Sequence, residues 1–125
     1  MSKSVISTPN APNLPFSPGV KAGDYVFVSG QVGHQDPKTG DEIEGIEAQT
    51  GQCIQNMREV LRSAGSDLAD VAKVTVFLRE ADDFLKMNEV YKSYFIGDLP
   101  ARSTVVTGLV IPSMLVEMEC IAYCP

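Results

Sequence analysis

Pro100-Ala101-Arg102-Ser103-Thr104-Val105 and the later Val116-Glu117-Met118-Glu119 place an arginine and two glutamates in segments that otherwise predict buried β-strand. Residues 101–107 are mostly small or β-branched, and apolar residues alternate with the two glutamates over residues 115–123. Charge in such strands costs free energy unless it is paired or faces a polar cleft. Because a guanidinium can hold a carboxylate through two parallel hydrogen bonds, the pattern indicates a site for a small anion. An ordinary ion pair at a sheet edge or subunit contact explains it about equally well.

The relative position of these charges depends on how the last two strands pair. A simple hairpin would place Arg102 opposite Cys120 and Glu117 opposite Val105, about 10 Å apart along the ladder. That distance is too long for a direct ion pair. A ligand or a neighbouring subunit between the two side chains would explain both, and a bulge could also bring them together.

The remaining elements follow from hydrophobic periodicity. A helix is predicted over residues 46–64, with Gly65 placed to end it in a left-handed conformation. Strands are predicted over residues 25–29, ended by Gly30, and at Val71–Leu78. The order strand, strand, helix, strand, helix, strand, strand predicts an α+β fold with both helices on one face of a mixed sheet.

The second helix carries an unexpected amide. It is predicted to start at Asp82 or Asp83 and to run to about Ile96. Asn88 lies on its apolar face, four residues after Phe84. A core-facing amide needs hydrogen-bond partners, so Asn88 either braces a loop or points into a ligand cleft.

The first nineteen residues contain four prolines, which favours an extended segment over a helix. A linker is the simplest interpretation of such a composition. Phe16 within it instead indicates docking of this segment onto a surface.

Length and charge exclude several classes of protein. A chain of 125 residues is most simply one domain, residues 1–125. With 10 basic and 16 acidic residues, its net charge of −6 has the wrong sign for broad binding to nucleic-acid phosphates. No apolar run approaches the roughly 20 residues of a membrane span, and no targeting segment is recognisable, so a cytoplasmic location is expected.

Cysteine and histidine provide no evident metal site. Cys53, Cys120 and Cys124 form an odd set without the spacing of a disulfide scaffold. Cys120 and Cys124 would lie about 13 Å apart along a strand, too far to share one zinc ion. The one histidine, His34, lies in a loop-like segment and is expected to be solvent-exposed. We therefore expect no metal, no cofactor and no Ser-His-Asp triad.

The sequence resembles the Rid family, the reactive intermediate deaminases, also described as YjgF or L-PSP endoribonuclease-like proteins. Its C-terminal signature is Pro-Ala-Arg-Ser, a hydrophobic residue two places later, then Gly108 and Val-Glu-Met. The likeness covers nearly the whole chain. Its other marks are Asn10-Ala11-Pro12 ahead of Pro15-Phe16, Ser29-Gly30-Gln31-Val32, Asp36-Pro37-Lys38-Thr39-Gly40, Val74-Thr75-Val76-Phe77-Leu78 and Met87-Asn88-Glu89-Val90-Tyr91.

The resemblance implies a chorismate-mutase-like fold, a homotrimer and a ligand cleft at each subunit contact. It also implies hydrolysis of 2-enamine or 2-imine acids, such as 2-aminoacrylate, to 2-oxo acids and ammonia without a cofactor. Arg102 matches the family's carboxylate-binding arginine, and Glu117 matches the carboxylate that positions or activates water. Glu119 is the nearby rival for that role, and the signature favours Glu117.

Further matches and departures concern the pocket. Ser29, Gly30 and Asn88 match positions that line it, whereas Phe16 stands where many members have tyrosine and Thr104 where many have cysteine. These departures raise the prospect of another imine substrate, or of none. A ribonuclease or translation inhibitor is disfavoured by the acidic composition, and a non-catalytic carboxylate-binding or holdase-like module stays open.

Overall fold

The computed structural model describes residues 2–9 and 13–125, and within them the chain forms six strands and two α-helices. The Asn10-Ala11-Pro12 motif lies outside the described residues. In chain order the elements are β1 (Ser4–Ile6), β2 (Gly19–Ala22), β3 (Tyr25–Val32), α1 (Ile46–Ser63), β4 (Val71–Leu78), α2 (Phe84–Tyr94), β5 (Ala101–Val106) and β6 (Val116–Tyr123). Short 3-10 turns at Leu68–Asp70 and Ala81–Asp83 precede β4 and α2.

The six strands form one mixed sheet in the order β1-β2-β3-β6-β4-β5. Only β4 and β5 are parallel, because α2 carries the chain back across the sheet between them. β6 then inserts between β3 and β4 and is antiparallel to both. The simple hairpin considered for the last two strands does not form, because β4 separates β5 from β6.

Both helices cover one face of this sheet, as the sequence predicts. Alternate residues of the central strands, among them Val74, Val76 and Met118, are completely buried on that face. They pack with Cys53, Ile54, Met57 and Leu61 of α1, which are also fully buried. The buried faces of the strands, which repeat every two residues, and of α1, which repeat with the helical period, thus form one core.

The opposite face of the sheet, which we call the open face, has neither of the two helices packed on it. Tyr25, Phe27, Val105 and Tyr123 project from it and keep between 45% and 48% of their surface exposed. Tyr25 and Tyr123 contact each other edge to face, with ring centroids 5.8 Å apart. An apolar sheet face of this kind is typical of a surface that another chain covers.

The sequence predicts that strand β3 ends at Gly30, but the strand continues to Val32. Its register against β6 shifts between Val28 and Gln31. Ser29 and Gly30 lie within this irregularity, so glycine here marks a bulge and not a strand end.

The helix boundaries follow the predicted signals closely at three of four ends. α1 begins at Ile46, and Gly65 follows its C-cap with φ of 87°. α2 ends at Tyr94, two residues before the predicted end. Its C-cap, Phe95, adopts an extended backbone and is buried, with its ring stacked 4.5 Å from that of Tyr91.

One prediction about a single side chain is wrong and another stays a prediction. Phe16 is 53% exposed, so the described residues cover its ring only in part, and docking of this ring onto a surface stays a prediction. The segment is tied down through its backbone, because Ser17 O accepts a hydrogen bond from Ser29 Oγ at 2.6 Å. His34 is half-buried and not solvent-exposed, and its Nδ1 is buried without a hydrogen-bond partner.

The three cysteines are free and buried. Among residues 2–9 and 13–125, no group of three or more His, Cys, Asp or Glu side chains could hold a metal ion. No helix in the described ranges has the length and apolar character needed to span a bilayer.

Candidate functional site

Glu117 lies on the open face of the sheet, against a glycine. Its neighbours along β6, Val116 and Met118, are fully buried on the helix-covered face, so the alternation of the strand turns Glu117 outward. A methyl group added at Gly30 would overlap the Glu117 carboxylate. The bulge of β3 and the missing side chain of Gly30 together make the space that this carboxylate occupies.

The surroundings of Glu117 favour its protonated form. Burial raises the pKa of its carboxyl above the ordinary value, and the nearby carboxylate of Glu119 raises it further. Glu119 itself is exposed at its place on β6. The fold therefore tunes the proton affinity of Glu117, as suits a carboxylate that handles a water molecule.

A cleft of about 280 Å³ opens beside Glu117. Its walls combine the two carboxylates with an apolar strand residue and the loop that leads from β5 to β6. The lining residues are Phe77, Thr107, Gly108, Leu109, Val110, Glu117 and Glu119. Two carboxylates and no cation in the wall would repel the carboxylate end of a ligand.

Arg102 lies on the other face of the sheet, under α2. It is opposite the buried Val74 in the β4–β5 ladder. Its guanidinium carbon lies 4.7 Å from the ring centroid of Tyr91 and 5.7 Å from that of Phe84. The ion pairs formed within the described ranges involve other residues. The guanidinium is thus held by aromatic faces, with its hydrogen-bonding fork free for an anion.

Unpartnered polar atoms lie on the two elements, α2 and β5, that carry this arginine and the rings against it. Asn88 Oδ1, Tyr91 OH and Thr104 Oγ1 are buried, and none has a hydrogen-bond partner in the described residues. Asn88 and Tyr91 lie three apart on α2, and Thr104 lies two residues after Arg102 on the same face of β5. Buried polar atoms normally find partners, so this group is suited to receive a polar ligand. Asn88 Oδ1 braces no loop.

One chain therefore does not bring all the predicted site residues together. Arg102 and Thr104 lie on the helix-covered face of the edge strand β5, and Asn88 lies on α2. Glu117 lies on the open face against Gly30. Ser29 is in the β3 bulge, where its backbone N–H donates to Pro18 O at 2.9 Å. Phe16 stands apart on the exposed N-terminal segment.

Sequence reasoning missed Tyr91 as a site residue, although it lies on the apolar helix face that carries Asn88. It is 7% exposed, and burial raises the pKa of its phenol while the Arg102 cation opposes that shift. The available signal was an aromatic side chain three residues after a buried amide. It does not distinguish a core residue from a platform for a cation.

A larger cleft, of about 540 Å³, lies on the outer side of α1 and includes neither Arg102 nor Glu117. Its two arginines are already paired: Arg58 and Arg62 contact Asp67 at 3.6 Å and 3.0 Å. Both arginines share the one Asp67 carboxylate, and none of the described residues that line this cleft has a buried acceptor without a partner, so it is a weaker candidate despite its size.

Comparison with known proteins places the chain among a well-populated set of relatives. The model of the family described as Endoribonuclease L-PSP matches residues 7–124. A RutC family protein of Pyrococcus abyssi is 45% identical over 98% of both chains. The 2-iminobutanoate/2-iminopropanoate deaminase of mouse is 39% identical over 96% of this chain and 90% of its own length.

A solved structure agrees with these matches. The crystal structure of E. coli TdcF with bound serine superposes with a TM-score of 0.89 at 32% identity, covering 98% of this chain and 99% of that one. The likeness extends over the sheet and both helices and so includes every element that carries a candidate site residue. The chain belongs to the Endoribonuclease L-PSP family, which contains the Rid proteins that its sequence resembles.

Proposed function

We propose that this protein hydrolyses 2-imino and 2-enamino acids, such as 2-aminoacrylate, to 2-oxo acids and ammonia, in a site completed by a second copy of the chain. The observation that carries the proposal is the placement of Arg102 and Glu117. Arg102 offers an unpaired guanidinium, and Glu117 offers a carboxylate of raised pKa. The two side chains nevertheless lie on opposite faces of one sheet. Relatives named as 2-iminobutanoate/2-iminopropanoate deaminases support the same activity.

The carboxylate of the substrate would bind at Arg102. The Tyr91 and Phe84 rings lie against the guanidinium and leave its parallel N–H donors available for a carboxylate. Asn88 and Thr104 supply polar atoms beside it that lack other partners. The same chemistry would hold a free amino acid, which agrees with the serine named in the TdcF structure.

The water would be handled at Glu117 of a neighbouring copy. An enamine substrate first tautomerises to the imine, with a proton added at C3 and one lost from nitrogen, and the imine carbon is then electrophilic, so the reaction needs a positioned water, one base and a route for two protons to nitrogen. Water attacks C2, and one of its protons passes through the Glu117 carboxylate to the nitrogen, which gives a carbinolamine. The remaining hydroxyl proton then passes to the nitrogen by the same route as the carbon–nitrogen bond breaks, releasing ammonia and the 2-oxo acid. A raised pKa suits a carboxylate that first accepts a proton and then returns it.

The two departures from the family pattern are compatible with this chemistry. Thr104 keeps a small hydroxyl, and its Oγ1 is free to hydrogen-bond a ligand. Phe16 lacks a phenol but is exposed, where a neighbouring copy could receive it. We expect them to affect rate or substrate preference and not to remove the activity.

Release of ammonia and 2-oxo acid from freshly generated 2-aminoacrylate and 2-aminocrotonate tests the proposal. Glu117→Gln should abolish turnover and keep binding of a stable 2-oxo acid, measured by calorimetry. Arg102→Lys keeps the charge but loses the planar fork, so both binding and turnover should fall. Arg62→Lys and Glu59→Gln on the exposed side of α1 are matched controls that should behave as the parent.

Two outcomes would contradict the proposal in different ways. Binding of 2-oxo acids without any imine hydrolysis by the parent would identify a carboxylate-binding module. Parent-like hydrolysis by Glu117→Gln would remove that residue from the chemistry, and parent-like binding by Arg102→Ala would leave Arg102 with a structural role only.

A further inference from the structure

The loop of residues 107–115 forms a wall of the Glu117 cleft, and its tip has little packing of its own. Gly108, Leu109 and Val110 line the cleft. Val110 is 90% exposed and Ile111 is 41% exposed, so burial of apolar side chains does not fix the conformation of the loop tip. A loop that shapes a cleft without such packing needs another restraint.

Arg79 supplies that restraint through the loop backbone. Its Nε donates to Met114 O at 2.8 Å, and one terminal nitrogen donates to Ile111 O at 2.8 Å and Leu109 O at 3.2 Å. Its backbone N–H also donates to Leu115 O at 3.0 Å. One side chain at the end of β4 thus holds three carbonyls spread over six residues of the loop.

No carboxylate competes for this guanidinium, because the ion pairs within the described ranges do not include Arg79. Its donors serve peptide carbonyls, which a planar fork can reach in several directions at once. A lysine at this position would keep the charge but could not span the same three acceptors. Arg79 is two residues beyond Phe77, which also lines the cleft.

The base of the loop has a second, separate anchor in the amide of Gln49. This side chain is 2% exposed and donates to Ser113 O at 2.8 Å and Ile43 O at 3.0 Å. Its oxygen accepts from Leu115 N at 2.9 Å. Gln49 therefore fixes the end of the loop to α1, and the part that lines the cleft depends on Arg79.

We propose that Arg79 is a positioning residue that holds Leu109 and Val110 as an apolar wall for the side chain of the substrate. This inference rests on the proposed function and adds the part of the substrate that the cleft selects. Glu117 and Glu119 repel the substrate carboxylate from this cleft. Phe77, Leu109 and Val110 offer apolar surface to an alkyl group instead.

The test compares Arg79→Lys with the matched exchange Arg62→Lys, whose arginine is 60% exposed outside the cleft. Hydrogen–deuterium exchange of the loop amides should accelerate on the order of tenfold in Arg79→Lys and stay unchanged in Arg62→Lys. Calorimetry with pyruvate and 2-oxohexanoate reports selection of the side chain. The parent should prefer the longer acid on the order of tenfold, and Arg79→Lys should lose most of this preference.

Kinetics on the matching imines, generated in place by an amino acid oxidase, should show KM for the longer imine rising in Arg79→Lys with kcat retained. Unchanged loop exchange or an unchanged preference would overturn the inference. If Arg79→Lys does not fold, Val110→Ser at the exposed loop tip must reduce the same preference, and its failure to do so is equally decisive. A parent that discriminates the two acids but hydrolyses neither imine would refute the proposed function and leave this inference standing.

Discussion

At the scale of single residues, the carboxylate of Glu117 depends on the absence of a side chain at Gly30. Any Cβ at that position would occupy the space of the carboxylate. The backbone of Gly30 has no positive φ, so the requirement is for room and not for a left-handed conformation. Glycine here serves the site more than the fold.

Gly30→Ala should therefore reduce turnover strongly while the protein stays folded. The end of the Glu117 side chain can rotate away from a new methyl group, which keeps the cost in stability small but displaces the carboxylate. Gly51→Ala is the matched control, since its new methyl group would meet Tyr94 OH at an ordinary 3.5 Å. That change lies inside α1 and should raise the free energy of unfolding by about 1 kcal/mol. Full activity in Gly30→Ala would show that the position of Glu117 is not critical.

Glu119 should act on the reaction through the pKa of Glu117. A base works only when deprotonated, so kcat/KM falls as pH drops through the pKa of Glu117 in the free enzyme. Because the Glu119 carboxylate raises that pKa, Glu119→Gln should move the acidic limb of the profile to lower pH. Burial still raises the pKa in the variant, so the limb should stay above the ordinary carboxyl range. Glu59→Gln is the control. An acidic limb that does not move in Glu119→Gln would show that Glu119 does not influence the reaction through the pKa of Glu117.

At the scale of elements, hydrophobic periodicity predicted the bounds of the helices and strands that interactions between neighbouring residues determine. The start of α1, its glycine stop and both ends of β4 agree with the sequence, because alternation and helical spacing are properties of neighbouring residues. Pairing of β5 with β4 is not local. The unit β4–α2–β5 fits the rule that parallel strands join through a helix, and applying it would have excluded the hairpin.

The candidate site likewise combines local features that the sequence predicts with non-local ones that it does not. The charges in β5 and β6 identified Arg102 and Glu117 as unusual, but the face each occupies depends on which strands pair. Arg79 left no signal, because its acceptors are backbone carbonyls that any residue in the loop could offer. The sequence thus identified charged side chains at positions where strands are usually apolar. It could not identify a side chain whose partners are main-chain carbonyls.

The N-terminal segment offers an element-scale prediction at Phe16. Since this ring is 53% exposed, Phe16→Tyr should change the free energy of unfolding by less than about 0.5 kcal/mol. If the segment reaches a neighbouring site, the new hydroxyl should raise imine hydrolysis or shift the preferred substrate. Chemical denaturation and kinetics on two imines measure both effects. Loss of the fold, or kinetics identical to those of the parent, would place Phe16 away from any site.

At the scale of the whole molecule, the sheet has a covered face and an open one. The open face presents tyrosine, phenylalanine and valine side chains close to half exposed, together with Glu117. Burying such a face against other copies would remove apolar surface from water, at roughly 25 cal/mol per Å². The proposed shared site requires in addition that the open face of one copy reaches the Arg102 edge of another. We expect a homotrimer, and a monomer mass in light scattering at micromolar concentration would contradict this.

Mixing two inactive variants tests both the assembly and the shared site. Arg102→Ala keeps Glu117, and Glu117→Gln keeps Arg102, so a site built from two copies regains both groups wherever the intact residues meet. In a random one-to-one mixture, this occurs at about one in four subunit contacts of a cyclic assembly. Variants unfolded and refolded together should thus recover roughly a quarter of the activity of parent protein treated in the same way. Each variant refolded alone is the control and should stay inactive. If the mixture stays inactive although mixed assemblies form, Arg102 and Glu117 act from the same copy, and the opposite faces on which they lie would need another explanation.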